Sequence, residues 1–390
     1  MNKPLAGVRV IELGQLLAGP FAGCMLGYFG AEVIKVEPPG GDPIRNWRAV
    51  KNGTSLWWHS LARNKKCISL NLKTAEGREL VKKLLASADV VVENFRPGVL
   101  ENWGLDPDSM QNDNPELIYA RISGFGQTGP YAAKAGFASA CEAISGFRYV
   151  NGFPGEPPVR PNLSLGDTVS GLHAVLGILM ALRARDRGSG GQVVDVALYE
   201  SMYNLLEAVV PEYDGAGEIR EPSGTTVTGI VPTNTYECKD GKFLVIGGNG
   251  DSIFARLMQA VGRADIAESP NYASNADRVV HQRFLDDVLK KWCKKKTLKN
   301  AMSILEESRV PCGPVYNVAD MMSDPHFNDR ELFKKVEING EPLNIPAILP
   351  KLSQSPGATE WPGPKLASHT DDILQSIGIT EDKIKIFKTN

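Results

Sequence analysis

Several things are missing from this chain, and each absence removes a class of function. No unbroken apolar run approaches the roughly 18 to 20 residues that a membrane span needs. The opening "MNKPLAGVRVIEL" passes straight into a strand pattern without a signal-peptide core, so an intracellular, cytoplasmic protein is expected with no membrane partner. The six cysteines, Cys24, Cys67, Cys141, Cys238, Cys293 and Cys312, stand singly. That scatter offers neither a disulfide framework nor a paired-cysteine metal site. The five histidines (His59, His173, His281, His326, His369) fall at no metal-ligand spacing, and H-E-x-x-H and G-x-S-x-G are both absent, so no metal centre or serine-hydrolase elbow is expected. The 43 Lys and Arg are balanced by 45 Asp and Glu for a net charge of −2. The densest basic run is the short "KKWCKKK" at 290–296, so there is no basic field to draw a nucleic acid. Internal repeats and low-complexity tracts are also lacking.

What is present reads as an α/β protein. With 390 residues, 42% of them hydrophobic, the chain accommodates a large domain and a smaller one. In its first third, strand-like segments alternate with helix-like ones: "VRVIEL" (8–13), "FAGCMLGYFG" (21–30), "AEVIKVE" (31–37), "CISLNL" (67–72), "TAEGRELVKKLLASA" (74–88), "DVVVENF" (89–95) and "LIYARIS" (117–123). Such alternation with short connections predicts a parallel sheet covered by helices. Within 74–88, Leu80, Val81, Leu84 and Leu85 share one face and Thr74 is placed to cap. A helix is expected to begin near Asp167, and another over 199–210. The Gly-, Pro- and Thr-rich stretch 211–233 reads as a boundary loop. Beyond it, "TYECKDGKFLVIGG" (235–248) predicts a hairpin turning at Asp240-Gly241. The expected organisation is a large domain over 1–215, a small α+β domain over 216–330, and a proline-bearing return segment over 331–390 that packs back on the large one.

Several motifs are candidates for chemistry. "GFGQTG" (124–129) spells G-x-G-x-x-G, but Pro130 follows at once and the strand before it is not the first of the sheet. A tight turn approaching a ligand is the better reading than a dinucleotide site. "LLAGPFAG" (16–23) puts Ala18, Gly19 and Pro20 at a strand-to-helix junction, where free N–H groups can meet an anion. "VVVENFRPG" (90–98) ends a buried strand in Asn94, Phe95 and Arg96, at the sheet edge where open α/β proteins bind ligands. Arg45, Arg48, Arg63, Lys65 and Lys66 lie near Trp47, Trp57 and Trp58, a combination suited to anionic, partly apolar ligands. Asp167, in "NLSLGDTVSGLHAVLGILMAL" (162–182), stands where a turn gives way to an apolar periodic run. Read from the residues alone, it is first of all a helix N-cap.

Taken in order, "GVRVIELGQLLAGPFAGCMLGYFGAEVIKVEPPGGDPIRNWR", "RNKKCISLNLKTAEGRELVKKLLASADVVVENFRPG", "ISGFGQTGP", "LGDTVSGLHAVLGILMAL", "YECKDGKFLVIGG", "VPCGPV" and "HTDDILQSIG" closely resemble the class III CoA-transferases, the formyl-CoA transferase and carnitine CoA-transferase (CaiB/BaiF) family. The resemblance runs along essentially the whole chain. It implies a Rossmann-like large domain, a smaller α+β domain and an interlocked, ring-like homodimer. It implies that Asp167 is the nucleophile, that coenzyme A and acyl-CoA are substrates with no tightly bound cofactor, and that a free carboxylic acid is the acceptor. Ala18, Gly19, Pro20, Asn94, Phe95 and Arg96 would border CoA. Leu17, Arg45, Trp47, Arg48, Phe137 and Ala138 would shape the substrate site, and residues 224–232 would form a glycine-bearing flap. Three departures bear on substrate. Leu17 replaces the Gln of formyl-CoA transferase, which disfavours a formate and oxalate pair. Pro38 replaces a CoA-binding Arg of some members. Ala138 stands where many relatives carry an acid, and Phe137-Ala138 lacks the base of the racemase branch. The nearest branch in look acts on succinyl-CoA and dicarboxylic acids, with Arg45, Arg48 and Arg63 as partners for a distal carboxylate. An acyl-CoA racemase or isomerase and a non-catalytic CoA-binding protein are the alternatives.

Overall fold

The computed structural model describes residues 3–384. Two compact units divide the described chain. Residues up to Phe147, Pro161–Glu207 and those from Asn328 onward form the large unit, while Arg148–Arg160 and Ala208–Phe327 form the small one. The excursion 148–160 into the small unit is unmarked in the sequence pattern, and the divisions fall at 207 and 327 rather than 215 and 330.

In the large unit six strands form one parallel sheet: β1 (Arg9–Glu12), β2 (Glu32–Glu37), β3 (Lys65–Ser69), β4 (Val90–Glu93), β5 (Ile118–Ser123) and β6 (Val193–Ala197). Their order is β3-β2-β1-β4-β5-β6, the doubly wound arrangement whose strand order reverses between β1 and β4. Val10 pairs with Val33 and Val90, and Val90 with Ile118. These residues face one layer of core, and their sequence neighbours Ile11, Ile34, Val91 and Tyr119 face the other. Strands buried on both faces are near-continuous apolar runs for this reason.

The helices that position the site are α1 (Ala18–Tyr28), α2 (Leu56–Leu61), α3 (Ala75–Leu85), α4 (Ala138–Ile144) and α5 (Leu165–Arg185). Thr74 caps α3 by accepting from Gly77 N at 3.1 Å, and Leu80, Val81, Leu84 and Leu85 are buried as their spacing requires. By length and composition α5 is apolar enough to cross a bilayer, with a mean hydropathy of 1.6. Small and polar residues interrupt its apolar pattern, so it holds no long unbroken apolar run. Gly166, Ser170, Gly171, Ala174, Ile178 and Ala181 on its inner face are buried in the unit.

The stretch 199–210 is not one helix. Glu207 takes a left-handed φ of 49°, and the chain forms separate helices at Leu198–Tyr203 and Val209–Ala216. Part of the segment expected as boundary loop is therefore helical. The small unit contains an antiparallel sheet of Thr233–Glu237, Phe243–Gly247 and Cys312–Pro314, with the predicted hairpin as its first two strands.

The return segment is held on the large unit by side-chain donors. Prolines cannot donate, so this stretch presents carbonyls in need of partners. Arg63 donates to Pro346 O at 2.6 Å, Trp58 to Pro364 O at 2.8 Å, and Asn64 to Ala358 O at 2.6 Å.

Candidate active site

The site is assembled where the sheet reverses. Beyond β4, the amide of Asn94 clasps the main chain of Gln15: Oδ1 accepts from Gln15 N at 2.8 Å, and Nδ2 donates to Gln15 O at 2.9 Å. Asn94 thus ties the C-terminal edges of β1 and β4 together, and its polar atoms are engaged by protein. Phe95 packs edge-to-face on Trp103, with ring centroids 5.5 Å apart, while Arg96 is exposed.

Leu17 is the N-cap of α1, and Ala18, Gly19 and Pro20 form its first turn, all buried. Against them lies α5. A Cβ on Gly171 would fall 2.9 Å from Ala18 O and 3.0 Å from Phe21 Cδ1, so only glycine permits this close helix contact. Asp167 is one turn N-terminal of Gly171 on the same face, which places it beside the start of α1.

Asp167 is not the N-cap. Ser164 holds that position, and Asp167 is the third residue of the helix, half-buried in its first turn. There the unfulfilled N–H groups and the helix dipole favour a negative charge. One first-turn donor is met from outside the helix: Gly166 N donates to Glu142 Oε1 at 3.2 Å. Glu142 is fully buried on α4, one turn after Ala138, and both residues pack against Gly166. The candidate site therefore carries a second carboxylate, one turn beyond Ala138. Cys141 reports the same field. Its thiol is pushed up to about 11 by burial, with the negative charges of Asp167 and Glu142 adding to it, so it is protonated and unreactive near neutrality.

The first glycine of the turn after β5 lies against the chain itself. A Cβ on Gly124 would lie 2.8 Å from Gly136 Cα, and this crossing brings Phe137 to the N-cap of α4 with 67% of its surface exposed. Residues 224–232 belong to the small unit, where Asn275 donates to Gly229 O at 2.8 Å and accepts from Val231 N at 3.0 Å.

The arginines expected to meet a distal carboxylate have different fates. Arg45 is buried and donates through Nε and Nη2 to both oxygens of Glu37, each at 2.7 Å, with its guanidinium 3.6 Å from the Trp58 ring centroid. Arg63 is 1% exposed and directs its donors to carbonyl and hydroxyl oxygens. Neither is presented to a ligand, because each meets a structural acceptor. Arg48 is exposed, 4.7 Å from the Trp57 ring centroid, and Trp47 is 39% exposed.

Behind the start of α1 lies a buried ionic cluster that includes Lys65, a residue expected among the contacts to an anionic ligand but held instead by protein acceptors. Lys35 Nζ is 3.0 Å from Glu12 Oε1, 2.8 Å from Asp42 Oδ2 and 2.8 Å from Gly14 O. Lys65 Nζ is 2.7 Å from both Glu12 Oε2 and Pro20 O. Burial alone would depress the Lys35 ammonium, but Glu12, Asp42 and Glu37 raise it above the ordinary lysine range, so it is charged. The signal in the sequence was charged residues inside apolar strands, Glu12 in "VRVIEL" and Lys35 in "EVIKVE".

The described geometry is that of a Rossmann-like α/β protein, with a half-buried aspartate in the first turn of α5 and a buried glutamate beside it where the strand order reverses. Residues 5–370 match the family model described as CoA-transferase family III. Succinyl-CoA–D-citramalate CoA-transferase of Chloroflexus aurantiacus is 46% identical, over 99% of this chain and 97% of that relative. Succinate–glutarate CoA-transferase of Agrobacterium fabrum is 36% identical, over 97% and 96%. The crystal structure of a CaiB/BaiF family protein from Brucella suis superposes with a TM-score of 0.86 at 34% identity, over 97% of this chain and all of that one. The chain belongs to CoA-transferase family III, and it is an enzyme that moves CoA from an acyl-CoA to a carboxylic acid.

Proposed function

We propose that this enzyme takes CoA from succinyl-CoA and passes it to a dicarboxylic acid through covalent intermediates on Asp167. The observation that carries the reading is the position of Asp167: first turn of α5, half-buried, beside the N-terminus of α1 and at the reversal of the sheet. An Asp167 oxygen attacks the thioester carbonyl, the C–S bond breaks, and CoA leaves as thiolate from a mixed anhydride. The thiolate then attacks the aspartyl carbonyl, releasing the donor acid and leaving an aspartyl-CoA thioester. The acceptor carboxylate repeats both steps in reverse and restores Asp167. Each thiolate that leaves is the nucleophile of a following step, so no other co-reactant is needed. The first-turn N–H groups of α5 favour the ionised nucleophile and the oxyanions formed on it.

Dicarboxylic substrates are supported by relatives named for succinyl-CoA, D-citramalate and glutarate. Exposed Arg48 is the candidate partner for the distal carboxylate. Leu17 and Ala138 would set the acyl pocket, and Phe95 and Arg96 would border CoA. A homodimer is supported by the outer face of α5, where Leu172, Leu176, Leu179 and Met180 are 41–62% exposed, because contiguous exposed apolar faces mark interaction surfaces. Six free cysteines fit a reducing cytoplasm.

The test is mass spectrometry of the enzyme mixed with succinyl-CoA, with and without hydroxylamine. A hydroxamate or CoA adduct on Asp167, absent from Asp167→Asn together with transfer, is expected. Wild-type turnover by Asp167→Asn overturns the reading.

A further inference from the structure

The segment leading into α1 has its main chain held by side chains that are buried or half-buried. Lys35 takes the carbonyl of Gly14, Asn94 takes both polar groups of Gln15, and Lys65 takes the carbonyl of Pro20. Between them Leu16 adopts a left-handed φ of 63°, a region that leucine seldom occupies. Its N–H donates to the carboxylate of Asp42, at 3.1 Å to Oδ1 and 3.2 Å to Oδ2. Asp42 is itself fixed: it is fully buried, paired with Lys35 at 2.8 Å, accepts from Ile44 N at 3.0 Å, and donates its own N–H to Glu37 at 2.9 Å. Neither the mechanism nor the family match assigns it a task.

From this geometry we infer that Asp42 is a positioning residue for CoA transfer. By holding Leu16 left-handed, it sets the direction in which Leu17 and the first turn of α1 face Asp167, and so helps decide which acceptor acid is used. The inference rests on the proposed reading that Leu17 borders the substrate. A charged strut is needed because a leucine held at positive φ relaxes once its amide is released. Lys35 makes the strut rigid by anchoring Asp42 and Gly14 at once, which spans the turn on both sides of Leu16. Preorganisation of this kind matters because a misplacement of about 1 Å beside a reacting group can cost on the order of 100-fold in rate.

Two variants separate this task from mere packing. Asp42→Asn keeps shape and removes charge. Leu16→Pro removes the N–H and forbids positive φ while leaving the ionic cluster intact. Both are assayed as purified full-length enzyme with succinyl-CoA and a series of mono- and dicarboxylic acceptors, alongside thermal melts. Expected for both is a fall in kcat of about 10- to 100-fold, with the KM for succinyl-CoA unchanged and the acceptor order altered in the same way. If Asp42→Asn does not fold, Leu16→Pro decides alone. Wild-type kcat and acceptor order in folded Leu16→Pro overturn the inference, whether or not Asp42→Asn is impaired. Failure of the covalent reading is seen separately, as absence of an Asp167 adduct in the wild-type enzyme.

Discussion

Asn94 clasps Gln15 by both ends of its amide, at 2.8 and 2.9 Å, across the gap where the strand order reverses. The side chain stands in for the ladder that two diverging strands no longer supply. Asn94→Leu keeps the volume and loses both hydrogen bonds. At 0.5–1.5 kcal/mol each, the expected loss is about 1–3 kcal/mol in urea unfolding, with a raised KM for acyl-CoA. Unchanged stability and KM would show that the clasp is idle.

Gly171 governs how closely α5 approaches α1. Alanine gains up to about 1 kcal/mol of helix propensity, but its Cβ would lie 2.9 Å from Ala18 O. The overlap pushes apart the two helices that frame Asp167. Gly171→Ala is therefore expected to lose activity out of proportion to stability, with kcat down by about tenfold or more and a melting temperature within a few degrees of wild type. Full activity would place the contact outside the catalytic geometry.

Arg45 and Arg48 are close in sequence and differ in consequence. Glu37→Gln leaves the buried Arg45 without its anion, and breaking such a pair costs about 3–5 kcal/mol. Arg48→Ala, at an exposed position, is expected to stay within about 0.5 kcal/mol of wild type while raising KM for dicarboxylic acceptors only. Chemical denaturation of the two variants, with acceptor kinetics for Arg48→Ala, checks both halves.

The return segment should loosen in acid. Cys67 N donates to His369 Nδ1 at 3.2 Å, which requires that nitrogen to be unprotonated. Burial lowers the pKa of His369 and nearby Lys66 lowers it further, against the opposing pull of Asp372. Burial likewise lowers His59, which sits 3.1 Å from Gly363 O, with Gly363 opposing and Arg45 assisting. As pH falls, the unfolded chain takes up these protons first. The stability the two histidines contribute is thus present above about pH 6.5 and is lost as pH drops toward their lower folded values. Melts at pH 7.5 and 5.5 should show this fall, and His369→Asn, which keeps an acceptor but does not titrate, should lessen it.

Local pattern made much of the fold legible. The apolar strands of the first third, the Thr74-capped helix and the Asp240-Gly241 hairpin depend on neighbours within a few residues, and periodicity and turn chemistry report those directly. The break at Glu207 and the excursion 148–160 depend on distant packing, so no local signal announced them. Among site residues, the Gly124–Gly136 crossing and Glu142 were missed for the same reason. Glu142 acts one helical turn beyond the alanine that seemed to mark a missing acid.

The sequence alone determined the alternation that makes a parallel sheet, the ordered motifs of a CoA-transferase, and an aspartate at a helix start. Only the tertiary structure decided what each charge does. A carboxylate or guanidinium looks the same in a string of letters whether it meets solvent, substrate or a buried partner; its chemistry depends on burial and on which opposite charge lies within about 3 Å. That is why Arg45 and Arg63, read as ligand contacts, are structural, why Asp42 and Lys35 stand behind the site, and why Asp167, read as a cap, lies inside the helix with Glu142 meeting the donor beside it.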